Sequence, residues 1–234
     1  MRRSSNPIAA CAVAATVLAA CIAEVPSPAW TRTTPSLYVT GSDVAAPQPG
    51  VLLLHASPGS ERILARIGTR TEFGSPTRLA VVGESGDWLA VISSVLGNRV
   101  RGFVLRSNVR LAHVPVSVEI DRSTRLLTVW RNGVALRRVR VAVGAPSTPT
   151  PQGRFAITDK LSNFWPSLYG CCAIALSARQ TRPTPGWSGG DRIAIHAGHG
   201  MGGAVSNGCV RAASADLRFL MRVLPLGTQV VVHP

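Results

Sequence analysis

Short apolar runs, separated by turn-forming residues, fill the chain from Leu37 to about Leu111. The clearest runs are residues 51–54, 79–82, 88–92 and 103–105, with Gly, Pro, Ser or Asn between them. Runs of this length at this spacing are typical of a small all-β barrel or sandwich. The pattern therefore predicts a β-domain over residues 37–112.

A second β-pattern begins near Val114. Apolar and polar residues alternate over 116–120, as in a strand with one buried face. Asn132-Gly133 is the strongest short signal for a type I′ hairpin, and valines recur at every second position over 139–143. We expect three arginines of the return strand to form its solvent-facing side: Arg137, Arg138 and Arg140.

The end of the chain carries a helical pattern. Its apolar residues fall at helical spacing, and they are Leu217, Leu220, Met221 and Leu224. Ser214 is the expected helix cap, Pro225 and Gly227 end the helix, and residues 229–233 read as a final strand. The second domain, 114–234, is thus predicted to be mainly β with one or more short helices.

The first 20 residues are predicted to be an export signal. Arg2 and Arg3 precede an uncharged stretch, 8–20, which is too short to cross a bilayer but fits the apolar part of a signal peptide. The segment ending at Cys21, Leu-Ala-Ala-Cys, resembles the bacterial lipobox. That resemblance implies a lipid anchor on Cys21 and an exported protein at the outer face of the cytoplasmic membrane or in the cell wall. The alternative is an ordinary signal peptide with an unmodified Cys21. Residues 21–36, rich in Pro, Ser and Thr, are the expected tether.

The composition excludes a disordered chain, because 46% of its 234 residues are hydrophobic and only 15% are charged. A formal net charge of +14 would ordinarily suggest a nucleic-acid partner. The arginines are scattered, however, and the chain is expected to be exported, so the charge suits an anionic cell envelope better. We expect that the protein has no nucleic-acid partner and that it is a monomer. Of the 25 basic residues, only Lys160 is a lysine.

Two segments carry candidate chemistry. One is a strand that ends at His196; the other is the polar turn 206–211, which contains Cys209. Four glycines among the nine residues between them would allow the two ends to approach each other. A thiol beside an imidazole can act as a nucleophile, and the turn's backbone N–H groups could stabilise an oxyanion. An alternative use of His196, His199 and Cys209 is zinc binding.

The first β-domain resembles bacterial SH3-like domains. The resemblance lies in Gly86-Asp87-Trp88, which begins a strand, and in the later Gly102-Phe103-Val104, where Phe103 replaces the more usual tryptophan. The alternative is an unrelated small β-domain. Trp88 is expected to be a core residue.

The second domain resembles the L,D-transpeptidases of the YkuD type. Three motifs carry the resemblance in the family's order: Thr-Pro-Gln-Gly-Arg-Phe at 150–155, Ile-Ala-Ile-His ending at His196, and Ser-Asn-Gly-Cys-Val-Arg at 206–211. The resemblance covers about residues 115–234. It implies a β-sandwich catalytic domain that needs no metal and no organic cofactor.

The resemblance also implies a role for each site residue. Cys209 would be the nucleophile and His196 the proton donor and acceptor, oriented by the backbone carbonyl of Ala197. The amides of Gly208 and Cys209 would be the oxyanion donors. The residues implied to shape the site or contact substrate are Ser206, Asn207, Arg211, Trp165 and Tyr169. Asn207 departs from the family, which often has a second histidine there.

The implied activity is peptidoglycan cross-linking. Cys209 would attack the third stem residue of a tetrapeptide, release D-alanine and hold a thioester until a second stem's amine resolves it. Carbapenem-type β-lactams would acylate Cys209. The alternatives are a non-catalytic peptidoglycan-binding lipoprotein, an L,D-carboxypeptidase and a zinc-dependent wall hydrolase. Cys171 and Cys172 are adjacent, so each could pair elsewhere in an oxidising exterior or both could be buried.

Overall fold

The computed structural model describes residues 41–162, 169–188 and 190–234, and they are mainly β with one helix. The predicted signal peptide, the lipobox with Cys21, the tether and Trp165 lie outside the described residues. No helix in the described part of the chain is long and apolar enough to cross a membrane.

The first half forms a seven-stranded sheet in the order β3-β2-β6-β5-β4-β1-β7. Its strands are β1 (Ser42–Pro47), β2 (Leu52–His55), β3 (Ile63–Ile67), β4 (Leu79–Ser85), β5 (Trp88–Ile92), β6 (Gly102–Leu105) and β7 (Val109–Val114). All four apolar runs found in the sequence fall in these strands, except that Val51 lies just before β2 and is exposed. Their inward residues, such as Leu54, Leu89 and Val104, form one hydrophobic core. Trp88 is only half-buried and meets the ring of His55 edge-on.

The second half forms an eight-stranded sheet in the order β10-β9-β8-β17-β12-β13-β14-β16, and β11 and β15 pair separately. Its elements are β8 (Val116–Asp121), β9 (Leu126–Arg131), β10 (Val134–Arg140), β11 (Val143–Gly144), β12 (Gly153–Ser162), β13 (Cys172–Arg179), β14 (Arg192–Ala197), β15 (Ala204–Ser206), β16 (Val210–Ala212), α1 (Ser214–Val223) and β17 (Gln229–His233). Lys160 lies half-buried in β12, where desolvation lowers the pKa of its amine.

The predicted Asn-Gly hairpin is confirmed. Asn132 and Gly133 both have positive φ, at 50° and 79°, and Arg131 pairs with Val134 across the turn. A two-residue turn with two positive φ values matches the twist of the flanking strands. The return strand ends at Arg140, earlier than the valine pattern suggested.

Two expectations about the surface and the helix were wrong in part. Arg137 is not merely solvated: its Nη2 donates to Asp216 Oδ1 at 2.6 Å, and its guanidinium lies 4.6 Å from the centre of the Phe219 ring. Ser214 does not cap α1, because the cap position is Ala213 and no side chain bonds there. The helix is held instead by burial of Leu217, Leu220 and Leu224.

The chain passes from the first sheet to the second at Pro115. β7 ends at Val114 in the first sheet, and β8 begins at Val116 in the second. Gln229 Nε2 donates to the carbonyl of Val81 at 3.0 Å, which ties β17 to β4. The predicted domain limits and the SH3-like assignment remain predictions.

Candidate active site

His196 lies near the end of β14, between β13 and β16. It pairs with Ala173 on one side and with Arg211 on the other, and its exposed fraction is only 6%. Its Nδ1 is 2.7 Å from the carbonyl oxygen of Ala197. Since a carbonyl can only accept, Nδ1 carries the proton and the neutral ring keeps its lone pair on Nε2. This is the geometry that a base oriented by Ala197 requires.

The ring of Tyr169 packs against the imidazole of His196. The two rings meet nearly edge-on, with centres 4.8 Å apart and an interplanar angle of 74°. The carbonyl of Tyr169 also accepts a hydrogen bond from the Ala197 N–H at 3.2 Å. Burial and the nearby Cys209 raise the pKa of the Tyr169 phenol, so it stays a neutral wall of the site.

Cys209 ends a tight turn between β15 and β16. Gly208, just before it, has φ +113°, and a Cβ there would collide with the side chains of Gln180 and Ile193. Only glycine fits this backbone without strain. The turn therefore delivers the thiol of Cys209 into the cleft that His196 also lines.

The segment before β12 holds two carbonyls of this turn. Thr148 Oγ1 donates to the carbonyl of Ser206 at 3.0 Å, and Thr150 Oγ1 donates to that of Gly208 at 2.8 Å. Thr150 is fully buried and also accepts the N–H of Gly144 at 2.9 Å. The Thr-Pro motif found in the sequence thus supports the turn that carries Cys209.

Gln180 holds the third carbonyl of the turn, and no motif in the sequence points to this role. Its Nε2 donates to the carbonyl of Asn207 at 2.8 Å. The side chain of Asn207 accepts a hydrogen bond from Thr184 Oγ1 at 2.9 Å through Oδ1. Asn207 Nδ2 is the donor end of that amide. The position that often carries a second histidine in the family is therefore a fixed amide here.

Ser206 closes the turn from within. Its buried hydroxyl donates to the carbonyl of Cys209 at 2.5 Å and accepts the N–H of Gly208 at 3.1 Å. The Gly208 amide is therefore engaged in this structure, which the oxyanion prediction did not anticipate. A serine hydroxyl that bridges a turn in this way competes for the backbone donor. The amide of Cys209 remains the expected oxyanion donor.

Burial keeps both reacting groups neutral at rest. Desolvation lowers the pKa of His196, reinforced by the positive charge of Arg211 and opposed by the Ala197 carbonyl. Desolvation raises the pKa of the Cys209 thiol, opposed by a backbone hydrogen bond from Ala194 and by Arg211. Both shifts favour a thiol beside a neutral imidazole over a thiolate–imidazolium pair.

The thiol and the imidazole open into a cleft of about 170 Å³. One wall is the segment between β13 and β14, which contributes Thr184 and Trp187. The Trp187 side chain is 45% exposed, and its Nε1 donates to the carbonyl of Gly190 at 2.8 Å. A large apolar surface beside the thiol of Cys209 is suited to substrate contact. Trp187 lies between two strands in a segment without a periodic pattern, so no local sequence signal marks it as a site residue.

The remaining thiols lie apart from this chemistry. Cys171 and Cys172 are free, and burial raises the pKa of Cys172 to about 12. Within the described ranges, no group of three or more His, Cys, Asp and Glu side chains could hold a metal ion.

A buried imidazole on a strand, with a thiol on a tight turn that opens into the same cleft, has the layout of a cysteine-dependent acyltransferase. Comparison with known proteins indicates the same class of enzyme. Residues 115–232 match the family model of the YkuD L,D-transpeptidase catalytic domain. The chain belongs to this family.

Two curated relatives come from Bacillus, and both are named as candidate L,D-transpeptidases, YkuD. The B. licheniformis protein is 26% identical over 124 residues, which is 52% of this chain and 67% of that protein. The B. subtilis protein is 28% identical over 120 residues, covering 51% and 67%. An Enterococcus faecium L,D-transpeptidase crystal structure is 20% identical over 50% of this chain, with a TM-score of 0.39. The match spans about half the length of that structure, 49%.

Proposed function

We propose that the protein is a peptidoglycan L,D-transpeptidase that forms cross-links between third-position stem residues through a thioester on Cys209. The observation that carries this proposal is the pairing of Cys209 with His196 in one cleft. The His196 ring carries its proton on Nδ1 and its lone pair on Nε2. Membership in the family supplies the substrate class.

Acylation begins with a neutral pair. Cys209 Sγ attacks the carbonyl of the third stem residue while His196 Nε2 takes the thiol proton. The carbonyl π pair moves to its oxygen, which the Cys209 N–H can stabilise. Collapse of this adduct breaks the bond to D-alanine, whose nitrogen takes the proton back from His196. The thioester remains, together with D-alanine whose amino group is neutral.

Deacylation repeats these steps with a new nucleophile. The side-chain amine of a second stem attacks the thioester and gives a proton to His196. The C–S bond breaks, an amide forms, and the Cys209 sulfur recovers its proton from His196. Water in place of the amine would give the trimmed tripeptide, so the two products report on which nucleophile reaches the thioester.

The proposed location is the outer face of the cytoplasmic membrane or the cell wall, with Cys21 carrying a lipid. The charged start, short apolar stretch and lipobox support this. Mass spectrometry of the mature N-terminus in the producing cell tests it. An unmodified Cys21 contradicts the anchor without affecting the proposed chemistry.

The activity is tested by incubating the full chain with disaccharide-tetrapeptide and measuring D-alanine, dimer and tripeptide by mass spectrometry. We expect D-alanine release with dimer formation, and a carbapenem adduct on Cys209 alone. Cys209→Ala should abolish both, whereas Cys171→Ala should retain both because Cys171 plays no part in the proposed reaction. Absence of turnover and of any adduct on Cys209 would favour the non-catalytic wall-binding alternative.

A further inference from the structure

A second cleft, lined by three arginines, lies where the first sheet meets β12. It has a volume of about 210 Å³, and its basic residues are Arg66, Arg70 and Arg78. The side chain of Thr158, in β12, contributes to its wall. We call this the arginine cleft. No step of the proposed reaction uses it so far.

Backbone carbonyls orient two of the guanidinium groups of this cleft, and no carboxylate in the described residues pairs with any of the three. Arg70 Nη1 donates to the carbonyl of Gly74 at 2.7 Å, and Arg78 Nη1 donates to that of Thr77 at 2.9 Å. Each guanidinium has five N–H donors, so these bonds orient it and leave others for a ligand. Across residues 41–162, 169–188 and 190–234, none of the cleft's three arginines forms an ion pair. Three like charges around one concavity favour an anionic occupant.

The carboxylate in the lining already has a partner. Glu72 forms an ion pair with Arg192, whose Nη2 also donates to Thr158 Oγ1 at 2.7 Å. The buried part of the Arg192 guanidinium bonds further to the carbonyl of Leu176. Glu72 is thus committed to Arg192 and does not offset the charge of the cleft's own arginines.

Arg192 also lines the cleft that holds Cys209 and His196. Arg192 therefore borders both clefts: it lines the thiol cleft, and its guanidinium bonds to Glu72 and Thr158 in the wall of the arginine cleft. A molecule in the arginine cleft would therefore contact a wall that is bonded directly to Arg192 of the thiol cleft. Cross-linking needs two stem peptides at once, and the donor occupies the thiol cleft.

We infer that the arginine cleft binds the acceptor stem peptide through its free carboxylates, an inference that rests on the proposed function. Guanidinium groups bind carboxylates with charge-assisted, often bidentate hydrogen bonds. The buried hydroxyl-bearing residues Ser93 and Ser94 add polar surface to the same wall. The cleft would raise the local concentration of the acceptor amine relative to water, and so favour the cross-link over the trimmed product.

The test measures the ratio of cross-linked to trimmed product. Disaccharide-tetrapeptide serves as donor and an isotope-labelled stem tripeptide as acceptor, and the products are resolved by mass spectrometry. In Arg70→Gln/Arg78→Gln we expect the ratio to fall about fivefold, since exposed charge-assisted contacts are modest individually. Arg62→Gln/Arg110→Gln removes the same charge from two exposed positions, one just before β3 and one in β7, and should leave the ratio unchanged.

Two further arms keep the result interpretable. A tripeptide with amidated carboxylates should give wild type the same low ratio, and Arg70→Lys/Arg78→Lys should recover part of the loss. If the double glutamine variant is too unstable to assay, Arg66→Gln replaces it. Arg66 lines the cleft, so its loss should still lower the ratio, and it is exposed on β3, so its loss should not unfold the protein. An unchanged ratio in these variants, or an equal fall in the charge-matched control, overturns the inference.

Failure of the proposed function looks different. If wild type releases no D-alanine, the transpeptidase proposal is wrong, and the cleft is then tested by binding alone. Cys209→Ala protein should bind the free tripeptide at least threefold more tightly than the amidated one, and the Arg70→Gln/Arg78→Gln change should remove that preference. Equal binding of both tripeptides rejects the arginine cleft as a carboxylate site. Release of D-alanine by wild type without any cross-linked product also contradicts an acceptor site.

Discussion

At the scale of single residues, the site is a neutral pair placed by the backbone. The Ala197 carbonyl selects the tautomer of His196, and the glycine conformation at 208 positions Cys209. The first role uses a backbone carbonyl and tolerates any side chain at position 197, whereas the second requires glycine at position 208. The motif therefore predicted the pair, and it could not predict that Ser206 engages the Gly208 amide, because that depends on a hydroxyl rotamer.

The shifts of both pKa values predict the protonation state of the resting protein. The lowered pKa of His196 and the raised pKa of Cys209 mean that thiolate should form only above the ordinary cysteine pKa of about 8.5. Ultraviolet thiolate absorbance of wild type minus Cys209→Ala, measured against pH, checks this. A thiolate signal on Cys209 near neutral pH would show an ion pair at rest instead.

The same shifts predict a dependence of stability on pH. His196 has a depressed pKa in the folded state, so its contribution is lost as pH falls below the unfolded value of about 6.5. Cys209 has a raised pKa in the folded state, so its contribution is lost as pH rises above about 8.5. Denaturant unfolding should therefore show a smaller decline on the acid side in His196→Gln and on the alkaline side in Cys209→Ala. Identical pH profiles in all three proteins would contradict the assignment.

At the scale of elements, local signals predicted the hairpin of β9 and β10, the helix and the last strand. They did not predict that β17 lies between β8 and β12, parallel to β8, or that β14 and β16 pair in parallel. Such pairings join residues far apart in sequence and leave no local periodic signal. For the same reason, the supports of the turn by Thr148 and Gln180 were not foreseen.

Substitution of Thr150 tests whether this residue supports the turn that carries Cys209. Thr150→Val keeps the shape of a fully buried side chain but leaves the Gly144 N–H and the Gly208 carbonyl without their partner. We expect a loss of about 1–3 kcal/mol in the free energy of unfolding and slower acylation of Cys209. Thr150→Ser restores the hydroxyl and should recover most of the acylation rate. Wild-type acylation in Thr150→Val would show that the turn is held without this residue.

At the scale of the whole molecule, the connection between β5 and β6 of the first sheet is hydrogen-bonded to Arg179, the neighbour of a residue that holds the turn of Cys209. Asn98 Nδ2 donates to the Arg179 carbonyl and Asn98 Oδ1 accepts the Arg179 N–H, both at 2.7 Å. The next residue, Gln180, holds the carbonyl of Asn207. Ser94 also accepts a hydrogen bond from Arg179 Nε through its carbonyl. The first sheet is therefore part of the support of the site, whatever else it binds.

Asn98→Ala should show this support directly. Losing two backbone partners of Arg179 should lower the free energy of unfolding by about 1–3 kcal/mol and slow acylation of Cys209 by roughly tenfold. Asn98→Asp keeps the acceptor and loses the donor, so its acylation rate should lie between the two. Acylation by a carbapenem, followed by mass spectrometry at a temperature where both variants stay folded, measures the effect. Equal rates in all three proteins would separate the first sheet from the site.

The single lysine of the chain has a consequence for an enzyme that transfers acyl groups to amines. A thioester on Cys209 would react with any accessible primary amine, including the side chains of another copy of the same protein. Guanidinium groups remain protonated at any physiological pH and do not compete. The chain carries 25 basic residues but a single ε-amine, on the half-buried Lys160. Arginine thus provides the positive charge suited to an anionic wall while sparing the protein from becoming its own acceptor.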